Sequence, residues 1–330
     1  MTFNLNRRCL LGLMTAAMLT PQAAPAWSQD AYPTKPVAFL VGNPPGGPSD
    51  FVARLVGDAL TASMGQGFVV ENRSGGGGAI AMTAIANADP DGYTIALGQA
   101  GPMTVAPNLQ NLPYKADSFT PIAKIADTPM AFLVSPELGV NTIDELIALI
   151  RANPGKFNYG SDGIGTSTHL AFELFRSRVG DLDVEHIPFK GSAEILQNYA
   201  SGSIQMSITG VQAALGQVKE GSIKALAVSS SERLLALPDV PTMAEAGFKD
   251  LEMSSWTMLI GPSGLPDPIR DRLAEAFHKV MTQPELLEKM TKLGALIPDY
   301  QGPAESKALI QRFDSQWKKV IADAGIKVQN

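Results

Sequence analysis

The chain has 330 residues, of which 45% are hydrophobic and 18% are charged, with 31 Gly and 24 Pro. This composition excludes a coiled coil, an acidic disordered tail and a collagen-like repeat, and the length predicts two domains at a typical size of about 150 residues each. The formal net charge is −6, from 26 basic and 32 acidic residues. No run of five basic residues occurs, so we predict no nucleic-acid partner.

The N-terminal residues have the pattern of a secretory signal peptide. Arg7 and Arg8 precede an apolar run over 9–19, and small residues follow up to Ser28. The run is shorter than the roughly 20 residues of a membrane-spanning helix. We therefore predict that residues 1–28 are removed and that the mature protein is periplasmic, with the export route left open between the general and twin-arginine pathways.

Removal of this segment changes the composition of the mature chain. Loss of two of the 26 basic residues leaves 24 against 32 acidic ones, a net charge of −8. The only cysteine, Cys9, is lost as well. We therefore predict no disulfide and no cysteine-based metal site.

From Tyr32 onward, short apolar runs alternate with longer amphipathic ones, which predicts strands and helices in alternation. In the first part the predicted strands are 37–41, 68–70 and 93–97, and the predicted helices are 50–64 and 79–88. The rhythm begins again with a helix over 142–152, where Thr142 and Glu145 form a capping box. Its later elements are a strand-like stretch at 157–159, a helix ending near 178, and strands at 184–187, 204–208 and 224–228. This pattern predicts parallel strands joined by crossover helices.

The last part of the chain is predicted to return to the first unit. A strand over 254–260 is followed by helices over 267–281, 284–293 and 304–324. We predict an α/β fold with two lobes, each a mixed sheet flanked by helices, and a ligand cleft between the lobes. The predicted domains are 32–127 plus 254–330, and 128–253.

The loop over 43–50 is the first candidate binding segment. Two prolines and two glycines lead directly into a helix, so bare backbone N–H groups and a helix N-terminus face the same point, which favours an anion. No Lys or Arg lies within it, and an ordinary strand-to-helix turn is the alternative. The candidate ligand-binding residues are Asn43, Pro44, Gly46, Gly47, Ser49 and Asp50.

The loop over 161–168 repeats this arrangement in the second unit. Two glycines and four hydroxyl residues precede a helix, and these hydroxyls either cap the helix or hold a carboxylate oxygen. The candidate ligand-binding residues here are Ser161, Gly165, Thr166 and Ser167.

Other motifs indicate neither a cofactor nor a metal. The segment 76–81 resembles half of a dinucleotide fingerprint, but the next strand ends at Gln99, without the expected acidic residue. His169 and Glu173 lie four apart on one helix without an evident third metal ligand. Trp256 either stacks on a ligand or packs between the domains. We predict no cofactor, no metal and no enzymatic activity.

Several segments resemble one family in the same order along the chain. They are YPTKP at 32–36, PPGG at 44–47, VENR at 70–73, DPDGYT at 89–94, ANPGK at 152–156, PFKGS at 188–192 and LPDVPT at 237–242. From Tyr32 to the C-terminal helices the chain resembles the Bug family, the extracytoplasmic solute receptors of tripartite tricarboxylate transporters.

This resemblance implies a two-lobed periplasmic binding protein of a type II-like fold, which captures a small carboxylate and presents it to a membrane permease. It implies that the loops 43–50 and 161–168 grip the carboxylate, and that Gln99 and Ala100 face the ligand. Thr209 and Gly210 stand where many members carry an acidic or amide pair, which argues against an amino-acid ligand. Thr209 completes the candidate site.

We therefore expect a monomeric receptor for an organic anion, a dicarboxylate or an aromatic acid, with a site completed when the cleft closes. Two alternatives remain open at this point. One is a ligand-sensing receptor for a signalling partner, and the other is a secreted serine hydrolase.

Overall fold

A computed structural model describes residues 32–164, 166–180, 182–189, 191–249, 251, 255–292 and 296–326. The predicted signal peptide 1–28 lies outside the described residues, as does the candidate site residue Gly165. Residues Pro33–Asn330 form one compact unit that contains two sheets.

Ten strands build the two sheets. They are β1 Val37–Val41, β2 Phe68–Asn72, β3 Thr94–Gln99, β4 Phe119–Thr128, β5 Met130–Val134, β6 Phe157–Ser161, β7 Val184–Pro188, β8 Met206–Gly210, β9 Lys224–Val228 and β10 Ser255–Pro262. The α-helices are α1 Pro48–Met64, α2 Ala79–Ala86, α3 Ala106–Leu109, α4 Ile143–Ala152, α5 Ser167–Val179, α6 Ser192–Ala200, α7 Val211–Glu220, α8 Asp267–Val280, α9 Pro284–Lys292 and α10 Pro303–Asp323. None of these described helices combines the length and apolar character that a bilayer crossing requires.

The two sheets have the same plan. The first has the order β2-β1-β3-β10-β4, and the second has the order β7-β6-β8-β5-β9. In each, three neighbouring strands are parallel, and the fourth strand in the order runs antiparallel to both its neighbours. We call the first sheet with its flanking helices the first lobe, and the second sheet with its flanking helices the second lobe. The predicted fold class, two mixed sheets flanked by helices, is confirmed.

The parallel strands and crossover helices follow the sequence prediction closely, and β10 returns to the first sheet as expected. Two strands were not predicted, β4 and β5. Strand β4 is the longest in the chain but contains Pro121 and Lys124, which strand patterns disfavour. It lies at the edge of its sheet, where a proline is tolerated. Lys124 is buried and pairs with Asp127 at 2.7 Å.

Only Pro129 separates β4 in the first sheet from β5 in the second. A second connection runs from β9 back to β10. One hydrophobic cluster includes residues of both lobes, such as Phe172 on α5 and Phe313 on α10, and α10 of the first lobe packs against α5 of the second. The predicted boundaries 32–127 plus 254–330 and 128–253 remain a prediction.

Candidate ligand-binding cleft

The candidate residues lie where parallel strands end. The loop after β1 leads into α1, and the chain after β3 continues at once into a π-helical turn, Gly101–Val105. In the second lobe the loop after β6 leads into α5. The lobes approach each other here, because a Cβ atom built on Gly101 would lie 3.3 Å from Ser167 Oγ. The carboxyl ends of the strands in both lobes therefore meet at one cleft.

We call residues 42–50 the first-lobe corner. The side chain of Asp50, which is 2% exposed, stabilises this corner through hydrogen bonds. Its Oδ2 accepts hydrogen bonds from the Gly46 N–H at 2.9 Å and from Arg54 Nε at 3.0 Å, and its Oδ1 accepts one from Asn72 Nδ2 at 2.9 Å. Asn72 Nδ2 also lies 3.0 Å from the Asn43 carbonyl oxygen. Both ends of the glycine-proline loop are thus fixed by one buried network.

The charge of Asp50 is stabilised by these donors. Burial raises the pKa of this carboxyl, but the hydrogen bonds from Arg54, Gly46 and Asn72 outweigh burial and lower the pKa from 3.8 to about 2. The side chain is therefore a supporting carboxylate, occupied by its own loop. Its predicted contact with the ligand stays a prediction, and its hydrogen bonds to Gly46, Arg54 and Asn72 are all within the first lobe.

Glycines allow three segments of the first lobe to approach one another. A Cβ on Gly42 would lie 3.0 Å from Gly78 Cα, and a Cβ on Gly78 would lie 3.2 Å from Pro102 Cγ. Gly78 also has φ +98°, which favours glycine. The glycine run that resembled a dinucleotide fingerprint therefore has a packing role beside the corner.

Polar groups of the first lobe gather at the same place. Gln99 Nε2 donates to Ser49 Oγ at 3.2 Å, which joins the ends of two loops. Thr257 lies opposite Gln99 in the sheet. Thr257 Oγ1 and Asn43 Oδ1 are buried, and neither has a hydrogen-bond partner within the described part of the chain. A polar ligand is one way to satisfy such atoms.

We call residues 161–168 the second-lobe corner. Thr166 caps α5, with its Oγ1 accepting from the His169 N–H at 3.4 Å and donating to the Gly163 carbonyl at 2.8 Å. Thr168 Oγ1 accepts from the Asp162 N–H at 2.9 Å. Capping, the structural alternative for these hydroxyls, is therefore real for Thr166. Ser167, at the first position of α5, faces Gly101 of the other lobe.

A stack of rings supports the second-lobe corner from inside. The rings of Tyr159 and His186 are 4.7 Å apart, and those of His186 and His169 are 4.2 Å apart. Burial lowers the pKa of His169 to about 4, with a contribution from the charge of Arg176, and burial with the neighbouring His169 lowers the pKa of His186 to about 4. Both imidazoles are therefore neutral at pH 7.

His186 is tied to the candidate residue Ser161. Ser161 Oγ lies 2.6 Å from His186 Nε2, a separation that also occurs between a serine nucleophile and its base. Ser161 is 0% exposed, however, and its Oγ also lies 3.1 Å from the Gly163 nitrogen. This burial argues against the serine hydrolase alternative at Ser161, because an ester substrate has no access to the hydroxyl.

Two residues that were not selected from the sequence, Asp162 and Ser192, connect to the candidate residue Thr209 at the end of β8. Thr209 is 0% exposed, and its Oγ1 lies 3.0 Å from Ser192 Oγ. Ser192 Oγ in turn donates to Asp162 Oδ1 at 3.1 Å. Asp162 directly follows β6, and Ser192 begins α6 after the loop that follows β7, so the sequence signal for both was a position between a strand and the next helix.

The remaining sequence candidates have structural roles. Glu173 accepts from Tyr159 at 2.6 Å and pairs with Arg176 at 3.1 Å, and the described residues contain no group of three metal-ligating side chains suited to a metal ion. Trp256 is fully buried with its ring edge-on to Phe313 at 5.9 Å, so it packs in the core.

A surface groove of about 960 Å³ lies elsewhere, between α8, α10 and the start of β4, and no candidate residue lines it.

Around the cleft, the structure brings Asn43, Ser49 and Gln99 together in the first lobe, and Ser161, Thr166 and Ser167 together in the second. Pro44 and Gly46 are exposed in the first-lobe corner, Gly47 caps α1, and Ala100 is buried after β3.

Relatives of known sequence align with most or nearly all of this chain. A UPF0065 protein of Bordetella pertussis is 37% identical over 287 residues, which is 87% of each chain. Protein BugT of the same organism is 31% identical over 328 residues, 98% of this chain and all of that one.

Solved structures show the same fold. Periplasmic binding protein BugD is 32% identical with a TM-score of 0.71, over 90% of this chain and 100% of that chain. MatC of Rhodopseudomonas palustris with bound malate is 31% identical with a TM-score of 0.71, over 88% and 100% of the two chains. An R. palustris protein with adipate is 31% identical with a TM-score of 0.73, over 90% and 99%.

The match to a family model agrees with the relatives and with the solved structures. Residues 52–326, from the first turns of α1 to the end of α10, match the tripartite tricarboxylate transporter family receptor. This chain belongs to that family of solute-binding receptors.

Proposed function

We propose that this protein is a periplasmic receptor that binds a small organic carboxylate in the cleft between its lobes. The observation that supports the proposal is the close approach of Gly101 to Ser167 across the cleft, because Gly101 follows β3, the neighbour of the strand β1 that leads into the first-lobe corner. MatC and the adipate-bound relative hold carboxylates, and this chain offers donors of the kind that a carboxylate accepts.

Those donors come from opposite lobes. Gly47 caps α1 without a side-chain hydrogen bond, so the first turn of α1 presents backbone N–H groups at the first-lobe corner. Across the cleft, Ser167 begins α5 with a hydroxyl, and the first turn of α5 has backbone N–H groups, while the Thr166 hydroxyl donates to the Gly163 carbonyl and shapes the corner. A carboxylate between them gains its full set of contacts only when the lobes are together, so ligand binding favours the closed form.

Local donors have to outweigh the net charge of the chain. That charge is −6 for the whole chain, and a negative field does not attract an anion. The candidate residues include no Lys or Arg. Recognition therefore rests on oriented N–H and O–H groups, which distinguish a carboxylate from a neutral amide of the same shape.

Titration calorimetry tests this directly. We expect succinate, malate or adipate to bind at least about tenfold more tightly than its neutral diamide, since hydrogen bonds to a charged acceptor are the stronger ones. Equal affinity for an acid and its diamide contradicts the proposal, as does the absence of binding to any small carboxylate.

The receptor would deliver its ligand, as a monomer, to the membrane permease of a tripartite tricarboxylate-type transporter. Uptake of the bound carboxylate by cells that contain the permease, with and without this chain, tests that step. Unchanged uptake without the chain contradicts delivery but leaves ligand binding intact. Processing near Ser28 and recovery of the protein in the periplasmic fraction test the predicted export.

A further inference from the structure

The second-lobe corner contains a negative charge that an anion site does not need. Asp162 directly follows β6 and precedes Thr166 and Ser167, the residues proposed to hold a carboxylate. Its side chain is partly buried. A carboxylate at this position affects which ligands the cleft accepts.

The contacts of Asp162 fix the direction of nearby hydroxyl groups. Ser192 Oγ donates its single proton to Asp162 Oδ1 at 3.1 Å. Thr209 Oγ1, 3.0 Å from Ser192 Oγ, is then the donor to Ser192. Both hydroxyl protons are therefore directed toward Asp162, and neither is free to donate to a ligand. This end of the cleft presents acceptors.

Asp162 is stabilised by hydrogen bonds, and it forms no ion pair within the described part of the chain. Burial raises the pKa of this carboxyl above its ordinary value, and hydrogen bonds from Ser192 and Thr168 offset only part of that rise. Among the described residues, none of the ion pairs includes Asp162. A ligand that brings only carboxylate oxygens to this point meets a like charge, whereas one that brings an O–H or N–H group satisfies a partly buried acceptor.

We propose that Asp162 is a specificity-determining residue that selects carboxylates bearing a hydrogen-bond donor, a hydroxyl or an ammonium, beside the carboxylate. The proposal rests on the proposed function, since the carboxylate itself is held by the two corners. Thr209 carries no charge, but Asp162 lies only two hydrogen bonds away from it. An acidic group therefore does stand at this end of the cleft, and it comes from the neighbouring strand β6.

Three ligands of matched length test the proposal. Succinate, malate and aspartate share a four-carbon dicarboxylate, and the second and third add a hydroxyl and an ammonium. By titration calorimetry we expect the unmodified protein to bind malate or aspartate at least about tenfold more tightly than succinate, a factor typical of a hydrogen bond to a charged group. Whichever of the two binds more tightly identifies the donor.

The variant Asp162→Asn removes the charge and nearly preserves the shape. We expect its preference over succinate to fall below about threefold, with succinate binding more tightly than to the unmodified protein because the repulsion is gone. A role of Asp162 in shaping the corner alone would weaken all three ligands together. The matched control is Asp144→Asn, at an exposed position of α4 in the same lobe, and Asp162→Ser serves if the first variant does not fold.

The outcomes separate the two proposals. If the unmodified protein binds succinate or adipate as tightly as malate and aspartate, the role of Asp162 is overturned and the carboxylate receptor stands. A uniform loss of affinity in Asp162→Asn overturns it as well. If none of the four acids binds, the proposed function itself fails.

Discussion

The two corners of the cleft do the same task with different chemistry. In the first-lobe corner a charged network of Asp50, Arg54 and Asn72 holds a loop of glycines and prolines. In the second-lobe corner neutral hydroxyls and a half-buried imidazole, His186, hold the loop. Acid therefore destabilises the two corners in different ways. Protonation of Asp50 removes a negative charge from the first-lobe corner, whereas protonation of His186 adds a positive charge to the second-lobe corner.

The largest expected effect is the acid sensitivity of the second-lobe corner. His169 and His186 have pKa values near 4 when folded and 6.5 as the ordinary value, so the unfolded chain binds more protons between these values. Stability is therefore full above about pH 6.5 and is lost as the pH falls toward 4, by on the order of 3 kcal/mol for the buried His169 and by less for the partly exposed His186, whose charge is screened by water. Chemical denaturation between pH 7 and 4 measures this loss.

Substitution of the histidines sharpens that result. The double variant H169Q/H186Q is less stable than the unmodified protein at pH 7 but has a flatter dependence on pH. The control H278Q changes an exposed histidine of α8 in the other lobe. A double variant with the pH dependence of the unmodified protein would show that another group causes it.

The second effect concerns the charged network of the first-lobe corner. Because the pKa of Asp50 is lowered from 3.8 to about 2, its contribution is present above pH 4 and is lost as the pH falls through about 2. We expect Asp50→Asn to lower the free energy of unfolding by about 2 kcal/mol at pH 7, and the difference from the unmodified protein to disappear near pH 2. Asp89→Asn, at an exposed position, is the control. A difference that persists unchanged in acid would assign the effect to packing.

The third effect tests the close approach of glycines beside the first-lobe corner. Gly78→Ala places a Cβ at φ +98° and 3.2 Å from Pro102, and we expect a loss of about 2 kcal/mol in thermal unfolding. Gly77→Ala, at φ +62° with no atom within 4 Å, has the strain without the contact and should lose about 1 kcal/mol. Equal losses would show that the contact with Pro102 costs nothing.

The smallest effect tests the contact across the cleft. Ser167→Ala removes a hydroxyl beside Gly101, and we expect about a tenfold loss of affinity for the bound carboxylate, the lower end for one hydrogen bond to a charged group. Ser177→Ala, near the other end of α5, is the control, because Ser177 Oγ donates only to the Leu174 carbonyl. If both variants bind equally well, Ser167 makes no contact with the ligand.

The sequence predicted the parts of the fold that local patterns determine. The helices and the parallel strands follow from apolar periodicity. At the start of α4, Thr142 Oγ1 accepts from the Glu145 N–H as the capping box predicts, while the Glu145 side chain accepts from the N–H of Asn141 and not from that of Thr142. Strand β5 was missed because its partners β8 and β9 lie more than 70 residues later in the chain. The charge of Lys124 made β4 hard to predict as a strand, because its ion pair with Asp127 forms only in the folded strand.

The site was predictable to the level of its loops. Both corners were identified from glycine, proline and hydroxyl patterns, whose effect on the backbone is local. Sequence reasoning did not reveal that Asp50 supports its own loop through Asn72, which is 22 residues away. Nor did it reveal that Ser161 meets His186 or that Asp162 accepts from Ser192, since only the parallel pairing of strands brings these residues together.

The position of β10 has a consequence for the order in which this protein is made. It lies between β3 and β4 in the first sheet, yet more than 120 residues separate it from either strand along the chain. Until synthesis passes Pro262, β3 and β4 each have an open edge with unsatisfied backbone groups, an arrangement that promotes aggregation. The nascent first lobe is therefore expected to be prone to aggregation after all five strands of the second sheet have been synthesised.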